Sequence, residues 1–167
     1  MPSARSVAFR REAFEEAGGY PEWLAIGEDM YLDSRWRDMD VRMDLAPAAV
    51  VYRRPRPGMA AYWRQFSAYA AGDGEAGMHA ERHLLRFVVY GALAAVLASR
   101  RRATIGLAAL AGAGYAARPV RRAFRLLPPG RRRAAALVAV PALMAASDLA
   151  KMAGYLRGLS RRRAREV

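Results

Sequence analysis

The stretch 84-LLRFVVYGALAAVLAS-99 divides the chain, because acidic residues are frequent before it and rare after it. It is apolar apart from Arg86, and two similar runs follow, 103-ATIGLAALAGAGYAA-117 and 134-AAALVAVPALMAASDLA-150. Clusters of Arg separate these runs, as is typical of segments that lie in a bilayer between anionic headgroups. The pattern predicts membrane-associated helices in the second half of the chain.

The number and orientation of membrane spans stay open. Each run has 15 to 17 residues, fewer than the roughly 20 that normally cross the hydrocarbon core. If the first half is cytoplasmic and 84–99 spans, Arg100 to Arg102 lie outside, against the positive-inside rule. Either the first two runs form a shallow re-entrant pair, or one of the three does not span.

The charge of the chain is distributed unevenly. The formal net charge is +13, but residues 1–77 have a net charge of −2 and residues 78–167 a net charge of +15. Such asymmetry indicates two regions with different surroundings. We expect a soluble region over 1–77 and membrane-associated helices over 78–160, with a basic interfacial segment at 118–133 and a basic tail at 161–167.

The composition excludes cysteine-dependent sites, and the placement of the basic residues disfavours nucleic-acid binding. The chain has no cysteine, which excludes disulfides and Cys-ligated zinc or iron–sulfur centres. A basic chain can also bind nucleic acid, but its basic residues would then line a soluble surface, whereas here they flank apolar runs. Membrane binding is therefore favoured, and no nucleic-acid partner is expected.

The soluble region has the patterns of helices and of one short β pair. Leu32, Trp36 and Met39 fall on one helical stripe, and 41-VRMDL-45 alternates in the manner of a half-buried strand. The predicted elements are a helix over 10–20, a helix over 28–40, strands at 41–45 and 48–52, a helix over 59–71 and a flexible loop at 72–77. The predicted fold class is mainly α with a short β pair.

Five signals in fixed order resemble the second half of the family 2 glycosyltransferases, which have the GT-A fold. They are 9-FRREAFEEAGGYP-21, the Gly-Glu-Asp of 27–29, the 47-PAAVV-51 end of the strand pair, 62-YWRQF-66 and 82-RHLLRFVVYG-91. The resemblance covers most of the chain. It implies the incomplete C-terminal, acceptor-side part of an α/β GT-A domain, followed by membrane helices.

The resemblance assigns the catalytic role to Glu28 and Asp29. In an inverting enzyme of this type the second carboxylate is the base, so Asp29 would take the proton of the acceptor hydroxyl while Glu28 lies beside it. A bare Glu-Asp pair can instead serve only to cap a helix, because the helix dipole favours negative charge in the first turn. The surrounding motifs favour the catalytic interpretation.

Substrate contacts are implied at Arg64, Gln65 and Arg10. Arg64 and Gln65 match the Arg-Gln of the interfacial helix, where relatives contact the acceptor or the pyrophosphate. Arg10, with Arg5 and Arg11, could approach a diphosphate, since guanidinium groups match phosphate oxygens, although surface solvation is an alternative for each. Processive members have Gln-x-x-Arg-Trp where this chain has 65-QFSAY-69, so a processive synthase is not expected.

Two further polar groups are interpreted without a catalytic role. His79 and His83 flank Glu81 in a spacing that invites a metal site, but no third type of ligand is fixed nearby, and we expect no metal there. Asp148 and Lys151, three residues apart, are expected to pair with each other.

The nucleotide-binding half of such an enzyme has no counterpart in residues 1–27. The intact enzyme is expected to use a divalent cation, Mg or Mn, held by an Asp-x-Asp motif, and the one such spacing here, 38-DMD-40, follows the Glu-Asp pair instead of preceding it. The fragment is therefore expected to be inactive alone and to need a partner chain or a longer polypeptide.

The resemblance implies sugar transfer from a nucleoside diphosphate donor to a lipid-linked or cell-envelope polysaccharide acceptor. The expected location is the bacterial cytoplasmic membrane, with the soluble part facing the cytoplasm. Two alternatives stay open: a non-enzymatic membrane protein whose basic helices bind anionic lipid or a partner subunit, and a soluble nucleic-acid-binding protein.

Overall fold

The structure is a computed structural model that describes residues 7–52, 54 and 57–166. All regular secondary structure in these residues is α-helical, which confirms the prediction of a mainly helical chain. The helices found there are α1 (Arg11–Glu16), α2 (Glu28–Asp38), α3 (Met59–Ala76), α4 (Ala80–Ala98), α5 (Arg102–Leu126) and α6 (Arg131–Glu166).

α1 and α2 pack together around a small aromatic core. Ala17, Leu32 and Trp36 are almost completely buried, and the Trp36 indole Nε1 donates a hydrogen bond of 2.8 Å to the carbonyl oxygen of Ala13. The partly buried residues around them are Val7, Phe14, Tyr20 and Val41. The predicted stripe is right for Leu32 and Trp36 but wrong for Met39, which is 43% exposed where the helix ends.

The strand pair predicted at 41–45 and 48–52 is wrong, because both segments are irregular. Leu45 is 88% exposed and Tyr52 is 93% exposed, so the alternating pattern has no buried face to stabilise it. An isolated two-stranded hairpin is marginally stable in water and needs a third strand or a packed helix. The described residues supply no sheet, and the expected portion of a GT-A sheet is not seen in them.

The flexible loop predicted at 72–77 is also wrong, because α3 continues to Ala76. Gly77, at φ 70°, ends the helix in the left-handed conformation that favours glycine. Gly72 and Gly74 lie inside the helix at positions where neighbouring backbone is too close for a side chain. A Cβ on Gly72 would overlap the carbonyl oxygen of Ile26.

The most extensive helix contact joins α3 to the C-terminal part of α6. Gly154 and Gly158, one turn apart, face α3 so closely that a Cβ on either would overlap a backbone carbonyl oxygen, of Ser67 and Ala71 respectively. Small residues at i and i+4 let two helix backbones approach in this way. This Gly-x-x-x-Gly pair was not predicted, although the spacing itself is visible in 154-GYLRG-158.

The basic segments in the second half are parts of longer helices. Segment 118–133 covers the end of α5, which runs through Pro119 to Leu126, and the start of α6 at Arg131. The predicted basic tail is helical as well, since α6 continues to Glu166. The interfacial location of these arginines stays a prediction.

In the part of the chain that the structure describes, only α6 is long and apolar enough to cross a membrane. Its 36 residues extend about 54 Å at 1.5 Å per residue. Only 22% of its most apolar stretch is buried inside the protein. Membrane association is therefore supported through one helix, where the sequence predicts three candidate runs.

Candidate functional site

The predicted catalytic pair lies in the first turn of α2. Gly27, at φ 90°, turns the chain into the helix, so Glu28 and Asp29 follow directly at the positive end of the helix dipole. The Asp29 carboxylate Oδ1 accepts a hydrogen bond of 2.9 Å from the backbone N–H of Met30. Asp29 lies where the helix dipole favours a negative charge, but the N-cap residue is Gly27, which provides no side-chain capping hydrogen bond.

A third carboxyl group, which the sequence analysis did not single out, belongs to Asp33. It lies four residues after Asp29 and so on the same face of α2. Asp33 is 3% exposed, and its Oδ2 accepts no hydrogen bond from the described residues. Burial, and next the negative charge of Asp29, raise the pKa of Asp33 above its ordinary value.

Tyr20 lies against this acidic group. Its pKa is raised by burial and then by the negative charges of Asp29, Glu28 and Asp33. Asp33 thus differs from the acidic residues of the first turn in being almost completely buried, and this burial is the main cause of its raised pKa.

The start of α2 is held against the C-terminal part of α3. The carbonyl oxygen of Ile26 contacts Gly72, and Gly27 lies next to it. Arg64 is eight residues before Gly72 on α3, about 12 Å along the helix axis. The glycine contact therefore sets the acidic turn beside the helix that carries the predicted substrate contacts.

A cavity of about 390 Å³ opens between the turn before α2 and the helices α3 and α6. Three arginines line it, Arg64 from α3 and Arg157 and Arg161 from α6, together with Ala25 and Ile26. Arg64 thus lies at a cavity, and its role as a substrate contact stays a prediction. The two α6 arginines were not predicted, since nothing in the sequence relates them to a residue some 90 positions earlier.

The other predicted substrate contacts lie elsewhere. The Gln65 amide nitrogen donates a hydrogen bond of 2.8 Å to the Tyr69 hydroxyl, and Gln65 does not line the cavity. Arg10 is exposed in the residue before α1. Arg11 pairs with Glu15 at 2.7 Å on the protein surface, while Arg5 lies outside the described residues.

The two histidines contribute to a buried polar cluster. His83 is 2% exposed; its Nε2 lies 3.0 Å from Asp73 Oδ2, and its ring stacks on Tyr155 with 4.0 Å between centroids. His79 Nδ1 lies 3.4 Å from Asp73 Oδ1, whereas Glu81 is exposed. The cluster joins α3, α4 and α6.

Asp148 extends this polar packing between α4 and α6. Its predicted partner Lys151 lies 4.0 Å away, but Arg86 is nearer, with its Nε 3.2 Å from Asp148 Oδ1. The Tyr90 hydroxyl also donates to Asp148, at 3.4 Å. The sequence analysis noted Arg86 only as a break in an apolar run, because its partner lies 62 residues later.

The described residues do not fit the divalent cation that the resemblance implies. Asp38 and Asp40 are exposed at the end of α2, and the part of the chain described here contains no group of three or more His, Asp or Glu side chains that could hold a metal ion. Carboxylate ligands for a cation on a diphosphate would have to come from elsewhere.

The comparisons with known proteins identify no relative. None of the family models, curated proteins or solved structures compared with this chain matches it.

Proposed function

We propose that this chain is the acceptor-side part of a family 2-type glycosyltransferase that is anchored to a membrane by α6. The observation that carries the proposal is the acidic first turn of α2, with Glu28 and Asp29, followed one turn later by the buried Asp33 and held against α3 at Gly72. The order of motifs around that turn supports the same assignment. The lack of any matching family model leaves the local geometry and the motifs as its support.

Asp29 is the proposed base. As the acceptor hydroxyl oxygen bonds to the anomeric carbon, the bond from that carbon to the donor diphosphate breaks, and the hydroxyl proton passes to the Asp29 carboxylate. Glu28 adjoins the acceptor, and Arg64 faces the cavity beside Ile26. Gln65 and Arg10 stay weaker candidates, because Gln65 is bonded to Tyr69 and Arg10 lies before α1.

The donor side is proposed to belong to another part of the enzyme. A nucleoside diphosphate sugar and its divalent cation need a nucleotide-binding domain, from a partner chain or a longer polypeptide. The proposed acceptor is a lipid-linked or cell-envelope polysaccharide, and the exposed apolar stretch of α6 supports an acceptor site near a membrane. The cytoplasmic face of a bacterial inner membrane is the location where such donors are found.

The test is Asp29→Asn, introduced into the gene in its source cells. Membranes from those cells would be incubated with labelled UDP- and GDP-sugars, and transfer into the lipid and polysaccharide fractions would be measured. Loss of the base should lower transfer about 100-fold or more. Asp38→Asn is the matched control, because it removes the same charge from the exposed end of α2.

A non-enzymatic membrane protein is the second candidate. The exposed apolar side chains of α4 and α5 favour it, for example Leu85 at 63% and Leu110 at 70% exposed, since they offer a large surface to lipid or to a partner. Transfer that is equal in the Asp29→Asn and Asp38→Asn membranes would support this candidate and contradict the transferase proposal.

A further inference from the structure

The cavity beside Ile26 has the geometry of an anion site. Arg157 and Arg161 are four residues apart on α6 and so project from successive turns of the same face, while Arg64 faces the same cavity from α3. Guanidinium groups bind phosphate oxygens through paired N–H donors. Three of them around one cavity form a set of donors that converges from two helices.

The positive charge in the cavity is only partly balanced. Glu75 is the single acidic residue among those that line it, and its carboxylate is shared between Arg161, at 3.8 Å, and Arg165, at 3.3 Å. Arg64 and Arg157 pair with no carboxylate of the described residues, and Arg157 donates to the neutral Ser67 hydroxyl. The lining therefore has an excess of two positive charges, which an anion would neutralise.

The cavity has room and a position for such a ligand. Its volume of about 390 Å³ is within the range of small-molecule sites, about 300–1,000 Å³. The apolar run in α6 ends at Ala150, and Arg157 lies seven residues later, about 10 Å along the axis. If α6 enters a bilayer through that run, Arg157 lies on the aqueous side, next to the headgroup layer.

We propose that Arg64, Arg157 and Arg161 bind a phosphate group, carried either by a membrane lipid or by a soluble diphosphate. The evidence for the site is the position of the three arginines and their unbalanced charge. Its depth in the membrane is the one feature that depends on the proposed function. Within that function the site would hold the phosphate of a lipid-linked acceptor or the released diphosphate close to the acidic turn of α2.

The experiment uses the full chain purified in a nonionic detergent or bound to vesicles. Pyrophosphate is titrated at constant ionic strength, and binding to phosphatidylcholine vesicles with and without phosphatidic acid is measured separately. The test variant is R64Q/R157Q, and the matched control is R132Q/R163Q, which removes the same charge from exposed positions of α6 that do not line the cavity. R157K retains the charge but removes the planar fork.

We expect R64Q/R157Q to weaken phosphate binding about tenfold or more relative to the control, since hydrogen bonds to charged groups are lost. Loss confined to phosphatidic acid vesicles assigns the site to a lipid headgroup, and loss confined to pyrophosphate assigns it to a soluble diphosphate. Equal losses in the test and control variants, or no binding of either probe by the unmodified chain, would overturn the proposal.

Two features keep the result interpretable. Far-UV circular dichroism shows whether R64Q/R157Q keeps its helices, and the single variant R64Q, at an exposed residue, tests the same cavity if the double variant does not fold. The binding measurements need no turnover. A failed phosphate site and a failed transferase assignment are therefore separate results.

Discussion

The two halves of α6 present apolar surface to different surroundings. In residues 131–146, large side chains such as Leu137 and Val138 are 56% and 74% exposed. In residues 147–158, small side chains are buried against α3, with Ala150 at 0% exposure and Gly154 in contact with Ser67. A single helix thus exposes apolar side chains in its first half and packs into a protein core in its second half.

The difference shows that hydropathy alone does not tell what an apolar helix contacts. The apolar side chains of the first half would be stabilised by leaving water, but few protein side chains cover them. A bilayer would provide the apolar surroundings that the protein does not. The second half also has large apolar residues, such as the exposed Leu149 and Leu156, but Gly154 and Gly158 allow the close backbone approach that holds it against α3. The position of small residues, in addition to polarity, therefore separates the two environments.

The largest expected effect comes from breaking the packed half. Gly154→Ala places a methyl group where the carbonyl oxygen of Ser67 lies, and overpacking of this kind costs about 1–3 kcal/mol. Gly112→Ala in α5 is the control, because nothing lies within 4 Å of its added Cβ and Ala is the better helix former by about 1 kcal/mol. The measurement is denaturant unfolding of both variants in detergent.

Gly154→Ala is expected to lower the free energy of unfolding. Gly112→Ala is expected to leave it unchanged or to raise it. If Gly154→Ala is as stable as Gly112→Ala, the close contact of α3 with α6 does not exist as described.

A smaller effect concerns α2 and not α6. It is the dependence of folding stability on pH that arises from Asp33. Burial and Asp29 raise the pKa of Asp33 in the folded state, so the folded chain binds more protons than the unfolded chain. Stability should therefore fall as the pH rises from the ordinary Asp value of 3.8 through the raised pKa, and then level off.

Asp33→Asn should remove this part of the pH dependence, and Asp38→Asn, at an exposed position, should leave it unchanged. The measurement is the free energy of unfolding of the α1–α2 region across this pH range, followed by Trp fluorescence because Trp36 lies in that core. An unchanged pH dependence in Asp33→Asn would contradict the assignment of the shift to this carboxyl.

A helix could be predicted from the sequence where the pattern of apolar residues within one segment is sufficient to identify it. The stripe of Leu32 and Trp36 locates α2, and the apolar run from Ala134 locates the first half of α6. The strand pair at 41–52 failed, because alternation predicts a strand only where other strands or a packed face are present. Those partners are not among the described residues.

The candidate site was predictable in part for the same reason. Glu28, Asp29 and Arg64 could be proposed because local motifs mark them, and their roles stay predictions. Asp33 was missed, although its i+4 spacing from Asp29 was visible, and its importance depends on burial. Arg157 was missed because it meets Arg64 only through the packing of α6 on α3, across more than 90 residues.

The most direct test of a membrane-anchored chain is the accessibility of single cysteines in α6, which is possible because the chain has no cysteine of its own. Val138→Cys lies in the exposed apolar half, and Leu156→Cys lies past it at a position that is 55% exposed. In native membrane vesicles opened to both sides, a water-soluble maleimide should label Cys at 156 and leave Cys at 138 unlabelled until detergent is added. Equal labelling of both positions before detergent would show that the first half of α6 does not enter lipid, and would contradict the account.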